Sequence, residues 1–342
     1  MNVFESTHLY ILYKNSAQRK RYMIQLWIHY IKDQTEKHNI DNVSRTKAYL
    51  EFYERYPDIQ WAFLASFVSR NAGWNMTDLS TETYQNLLSK QELKSLYLTY
   101  ESTNWYIFQD AYPQLLIYHL SVEQNRPMFF LLKYFHVSSF MEEMWYEFFK
   151  NKDLNQLMYA QIINEQNLIQ HPIIENEPYR KKVFRRIPYH LQSIFNLNAV
   201  LLPTLNGELY GDFVPRFKQV TKRIQFGKKI ASILFEQDHY PLFKAFSDQV
   251  EVTGSRMEYE QFLFEKRIET PTLDQTFSDT KHYLFERRTD WFDRKRVKKR
   301  WFKDIKIKEI KPIGEQFYAK RGGLANLTNT IEKVKNPFAE KR

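Results

Sequence analysis

Nine basic residues stand among four aromatics in one short stretch of this 342-residue chain. Arg287, Arg288, Arg294, Lys295, Arg296, Lys298, Lys299, Arg300 and Lys303 are interleaved with Trp291, Phe292, Trp301 and Phe302. Cations at this density neutralise phosphates and release condensed counterions. Aromatics beside them could stack on unpaired bases. The competing reading is a solvated helix whose aromatics only dock it on the body. On a helix, at about 100° per residue, Leu284, Trp291, Phe302 and Ile305 fall in one sector and form a docking stripe, which Lys295 and Lys298 interrupt. Membrane insertion needs a clean apolar face, so the interruption argues against insertion but not against purely electrostatic adsorption to an anionic membrane surface; nucleic acid is favoured over lipid.

A second polar concentration lies at Ser69–Asp78. Arg70, Asn71, Asn75 and Asp78 surround Gly73 and Trp74 at the end of an apolar run, and Asp110 is a more distant candidate to join them. A pocket there would use Arg70 to read an anion and the amides to orient a small ligand. Capping explains the same residue types, with Gly73 closing one helix and Thr77 or Asp78 opening the next.

Other chemistry is weakly supported. Glu236 and His239 have the Glu-x-x-His spacing of helical metal sites, but the only other match is Glu5 with His8. No metal or other cofactor is implied. Gly-x-Ser-x-Gly, the phosphate-binding loop and Gly-x-Gly-x-x-Gly are all missing. The chain has no cysteine, which excludes disulfides, thiolate ligands and cysteine nucleophiles.

The charge is lopsided. Residues 281–342 hold 19 Lys/Arg against 8 Asp/Glu, a surplus of +11, whereas residues 1–280 balance at −1. Like charges gathered in this way create a field suited to an anionic partner. With 43% hydrophobic residues and 57 aromatics, the body is expected to build a substantial core. Only 8 glycines occur, which favours helices over turn-rich β folds. The longest apolar runs, such as Met128–Leu132, are far short of a membrane span, and no signal peptide is visible. A cytoplasmic protein is expected.

The periodicity predicts helices over Arg19–Lys37, Ser44–Tyr56 and Pro57–Asn71, with Gly73 as the C-cap of the third. A capping box at Ser89–Glu92 opens another helix, Asp110 precedes a separate one, and a long helix is expected from Asn125 through Lys150. Asp153–Gln170 continues in kind. Leu202–Asp212 reads as a hairpin or loop. Helices resume at Pro215–Phe235, Tyr240–Val250 and, from the capping box at Ser255–Glu258, as far as Ile268. A basic helix is expected from Asp279 to about Lys308.

Three strings together resemble a known family: Ser69–Leu79 (SRNAGWNMTDL), Asp110–Gln114 (DAYPQ) and Phe285–Phe292 (FERRTDWF). They are similar to the YppC-like proteins of Bacillus-type Firmicutes, a domain of unknown function. The resemblance spans roughly residues 44–302. It implies a bacterial cytoplasmic protein and supplies no site residues to carry over.

The sequence therefore predicts an all-α fold. Residues 1–280 form an aromatic-rich helical body with a subdivision near 171–178, residues 281–311 a docked basic helix, and residues 312–342 a flexible tail. The expected function is non-enzymatic binding of a polyanion, nucleic acid ahead of lipid. The rival is an enzyme or small-ligand receptor using the Ser69–Asp78 turn, and a structural role beside another protein is the third option.

Overall fold

A computed structural model describes residues 16–170, 199–214, 219–265, 267–276, 280, 282, 289–294 and 297–335. Among the described residues the fold is all-α apart from one hairpin. Seven helices come first: α1 (Ser16–His38), α2 (Asn42–Arg55), α3 (Gln60–Asp78), α4 (Glu82–Leu87), α5 (Lys90–Glu123), α6 (Ser139–Asn151) and α7 (Leu154–Leu168). Strands β1 (Ala199–Pro203) and β2 (Leu209–Phe213) pair antiparallel, with Leu201 opposite Gly211. Then come α8 (Val220–Leu234), α9 (Tyr240–Gln249) and α10 (Gly314–Lys335), with single helical turns at Met257–Glu260 and Leu273–Thr276.

Helix α3 is the centre. Sixteen of its 19 residues are buried, and it packs against α2, α5, α7, α8 and β1. A helix this apolar on every side cannot lie at a surface. Tyr53 of α2 stacks on Phe63 at 4.7 Å, and Phe63 meets Phe67 edge-on at 5.3 Å. One apolar cluster runs from Trp27 to Phe317; the expected subdivision near 171–178 lies outside the described residues.

Several boundaries differ from the sequence expectation, each for a visible reason. Gly73 does not end α3. The helix passes through it to Asp78, and a side chain at this position would meet the Gly254 backbone at 3.3 Å. This glycine serves close approach, not capping. Asp110 does not precede a new helix, since α5 runs unbroken across Pro113. The long helix expected from Asn125 to Lys150 is two pieces, a 3-10 segment Phe129–Phe135 and then α6, whose start is capped by Ser138. The Ser255–Glu258 capping box yields only a single turn, and Glu258 there pairs with Arg70 and accepts from the Thr253 and Gly254 N–H groups. The Ser89–Glu92 capping box forms as read.

The largest correction concerns the basic segment. Its described residues from 289 to 311 contain no α-helix and follow an irregular path, with one 3-10 turn at Lys299–Phe302, and the helix comes later, at Gly314–Lys335, where a flexible tail was expected. Ile305-Lys306-Ile307-Lys308 alternates half-buried and exposed side chains, a period of two that suits extended backbone. The buried Lys228 ammonium donates to the carbonyls of Trp301, at 2.8 Å, and Lys303, groups that a helix would have used internally. The segment is thus a strap held to α8.

The hairpin is seated by one side chain. Asn71 of α3 donates its amide to the Leu201 carbonyl (2.9 Å) and accepts from the Leu201 N–H (2.8 Å), as a neighbouring strand would. Asn71→Ala strands both backbone groups, so denaturant unfolding is expected to show a loss of about 1–3 kcal/mol; a loss within measurement error would contradict this role.

Candidate functional site

The cations of the strap divide by neighbour. Arg294 is paired with Glu143 at 2.8 Å. Lys298, Lys299 and Arg300 are exposed, and none has an acidic partner among the described residues. Arg287, Arg288, Lys295 and Arg296 lie outside the described residues. Across a groove from Lys298 and Arg300 stands exposed Lys222 of α8, with Thr221 and Gln225 beside it. Lys306 and Lys308, further along the strap, are exposed as well.

The strap aromatics point the other way, which corrects the expectation that they could stack on a partner. Phe140 of α6 receives Trp291 (5.3 Å), Phe292 (5.5 Å) and Phe302 (6.3 Å). Buried Trp301 donates its indole N–H to Thr221 at 3.2 Å. Trp291 donates to Asn164 of α7 at 2.9 Å. These rings are structural anchors, and the surface they leave is charged without being apolar.

The five residues expected to form a pocket near Ser69–Asp78 do not converge. Arg70 is buried against Glu258, donates to the carbonyls of Val250 (2.8 Å) and Glu251 (3.2 Å), and lies over the Phe246 ring. Asp78 is clasped by Arg256 at 2.7 Å and Arg321 at 2.6 Å. Burial pushes the Asp78 carboxyl up, but the two guanidiniums outweigh it and hold it below the usual range. Asn75 accepts from Arg256 at 2.9 Å. Asp110 belongs to a separate network on α5, where it accepts from Gln114 (2.7 Å) and Asn164 (2.8 Å). That network reaches Ser138, Trp145, Gln161 and, through Asn164, the strap's Trp291. His239 and Glu236, the metal-like pair, bond to each other.

A cavity of about 240 Å³ does exist beside α3, lined by residues of α3, α5, α7, α8 and the hairpin and partly open to solvent. Its wall is largely apolar, from Leu64, Val68, Ile107, Ile162, Ile169 and Phe226 among others, and Asn71 and Asn75 border it. Its charged end is Glu165 of α7 with Arg223 of α8. Burial pushes Glu165 up to about 7, against the pull of Arg223, and the nearby Trp61 indole N–H also favours the charged form. Yet that N–H is buried without a well-formed hydrogen bond, as is the Tyr49 hydroxyl, whose ring meets Trp61 edge-on at 5.5 Å. Gln166 donates to one Glu165 oxygen at 2.8 Å, and Arg223 donates to Gln166 and Gln170. A carboxyl poised near 7 can hold or release a proton at neutral pH.

Sequence reasoning missed Glu165 and Arg223, although a signal was there. Glu165 interrupts the stripe Met158, Ile162, Ile169 at helical spacing, and Arg223 shares a face with Gly227, Ile230 and Leu234. A charge on a core-facing stripe marks either an ion pair or a site.

The geometry can now be set beside known proteins. A family model described as "Protein of unknown function (DUF2515)" matches residues 37–316. The chain belongs to the DUF2515 family. It is 45% identical over 273 residues to "Uncharacterized protein YppC" of Bacillus subtilis (strain 168), covering 80% of this chain and 85% of that protein. No solved structure matches. Both the DUF2515 strap and the Glu165 cavity fall within the matched residues. No described helix is long and apolar enough to cross a membrane.

Glu165 gives a pH prediction. Its folded value near 7 exceeds its ordinary 4.5, so the folded state holds the extra proton and stability falls as pH rises from about 4.5 through about 7. Glu165→Gln removes that decline. Its stability relative to the natural chain is expected to improve by about 1–3 kcal/mol between about pH 5 and about pH 8, read from denaturant midpoints at each pH; a constant difference would refute the assignment.

Proposed function

We propose that this DUF2515 protein is a cytoplasmic accessory protein that binds nucleic acid through its phosphates, along the groove between the strap and α8. The observation that carries this reading is the trio Lys298, Lys299 and Arg300, exposed and without acidic partners among the described residues. Lys222 faces Lys298 and Arg300 across the groove, and Lys306 and Lys308 are exposed further along the strap. Exposed cations gathered in this way suit a backbone with regularly spaced negative charge. Contacts of this kind position a nucleic acid without reading its sequence.

The inward aromatics support nucleic acid over lipid as the polyanion. A membrane interface takes up exposed apolar side chains as well as cations, and here Trp291, Phe292, Trp301 and Phe302 are engaged with the body. The same placement removes base stacking from the mechanism and leaves electrostatics, which are steeply salt-dependent. The cysteine-free sequence suits a reducing compartment.

The test is fluorescence anisotropy with a labelled single-stranded oligonucleotide across a salt series, run beside vesicles containing anionic lipid. The triple variant Lys298→Gln, Lys299→Gln, Arg300→Gln is expected to flatten the plot of log affinity against log salt by about 2, at roughly 0.7 per lost phosphate contact on a single strand. An unchanged slope, or tighter capture by the vesicles than by the oligonucleotide, overturns the reading.

A further inference from the structure

We propose that Tyr56 is a nucleophile that takes an acyl group from a small, uncharged, activated ester, with His119 as its base and Glu123 as the carboxylate that orients the base. The proposal is independent of the strap and of any nucleic acid.

The three residues meet where α2 ends against α5. Tyr56 follows the last residue of α2, and Pro57 after it disfavours helical backbone, so the chain leaves the helix with Tyr56 at φ −133°. The Tyr56 ring is held by Phe52 at 5.0 Å and, edge-on, by Tyr118 at 5.4 Å. His119 and Glu123 stand four residues apart on α5 and therefore share a face. Tyr56 Oη lies 2.5 Å from His119 Nδ1, and His119 Nε2 lies 3.2 Å from Glu123 Oε1. Tyr56 and His119 are half-buried, whereas Glu123 and Arg55 are exposed, so the group lies at the surface.

The direction of the hydrogen bonds is fixed by the last member. A carboxylate can only accept, so Nε2 carries the ring proton of neutral His119. Nδ1 then holds the lone pair, and the Tyr56 hydroxyl donates to it. This is the order that a hydroxyl nucleophile, its base and an orienting carboxylate require. Burial lowers the pKa of His119, opposed by Glu123 and helped by Arg55, so its ring is a free base at neutral pH. Burial raises Tyr56 against the pull of Arg55, so the hydroxyl keeps its proton until a base removes it. The remaining charges nearby answer one another: Asp58 accepts from Tyr118 at 2.6 Å and lies 3.9 Å from Lys152.

The surroundings select the acyl donor. An anionic phosphoryl donor would face the Glu123 carboxylate, and Arg55 is already shared with that carboxylate at 3.3 Å. A neutral ester avoids this, and the Phe52 and Tyr118 rings suit an aryl leaving group. In the step, Tyr56 Oη bonds to the ester carbonyl carbon while its proton passes to His119 Nδ1. Arg55, 5.6 Å from the Tyr56 ring centroid, is the cation at hand for the charge on the carbonyl oxygen. The bond from the carbonyl carbon to the leaving oxygen then breaks, the leaving group departs with its electron pair, and His119 returns the proton to it or to water. An O-acyl tyrosine remains.

The probe is para-nitrophenyl acetate, mixed with the full chain and followed by nitrophenolate release and by peptide mass mapping. The expected result is a burst of one acetyl group per chain, carried by Tyr56. Its rate should climb with pH as His119 loses its proton below about pH 6.5 and stay level from about pH 7 to about pH 8.5. His119→Gln should slow the burst at least about a hundredfold, the low end of what a positioned base supplies, and Tyr56→Phe should abolish it. Acetyl groups on lysines or on His119 with none on Tyr56, a rate still climbing steadily above about pH 7.5 as direct phenolate attack would, or a His119→Gln burst as fast as that of the natural chain overturns the proposal. The pH profile of the natural chain decides even if neither variant folds.

Discussion

Burying α3 on nearly every side is the constraint from which the rest follows. Its first half is apolar and needs only rings and aliphatics around it. Its second half carries Arg70, Asn71, Thr77 and Asp78, and a buried charge or amide without a partner is costly. Each partner comes from far along the chain. Arg70 takes Glu258, Asn71 takes Leu201, Thr77 takes the Gly254 carbonyl, and Asp78 takes Arg256 and Arg321. The Gly73–Gly254 close approach lets this happen. A single helix thus gathers the hairpin, the 250–260 loop and α10 around itself.

That arrangement also says where chemistry remains. The polar end of α3 has been spent on folding, so its residues offer little to a ligand. The buried network around Asp110 and Asn164 takes hold of Trp291, and Lys228 grips two strap carbonyls. These contacts fix the strap with its rings inward, which leaves its cations outward. Elsewhere in the same core, Glu165 and Arg223 border a largely apolar cavity. The exposed cations of the strap are the open polarity, whereas the buried N–H groups of Trp61 and Trp74 and the Tyr49 hydroxyl are left without partners inside the core.

Much of the fold was legible because helical periodicity is local. The apolar stripe of α1, the Ser89–Glu92 capping box and the all-round apolarity of α3 all depend on neighbours three or four residues away. Gly73 was misread because a cap and a close approach call for the same residue, and the difference lies in Gly254, 181 positions later. The strap was misread because its nine cations drew attention to helical projection, while the two-residue alternation of Ile305 to Lys308 was the stronger local signal. The site was half visible. The sequence pointed to Arg70 and Asp78 as unusual, and they are, but their partners Glu258, Arg256 and Arg321 turn them into clamps. Glu165 was readable in principle as a charge on the stripe of α7. Its place beside Trp61 was not, because no local rule brings positions 61 and 165 together.

The most direct measurement is a double-mutant cycle on Arg70 and Glu258, using Arg70→Met, Glu258→Gln and the pair, with unfolding free energies from denaturant titration. If α3 is pinned by the desolvated pair, each single change costs about 3–5 kcal/mol, and the double costs far less than their sum, giving a coupling above about 1 kcal/mol. Strictly additive losses, or single losses near the 0.5 kcal/mol or so typical of surface changes, would contradict the account.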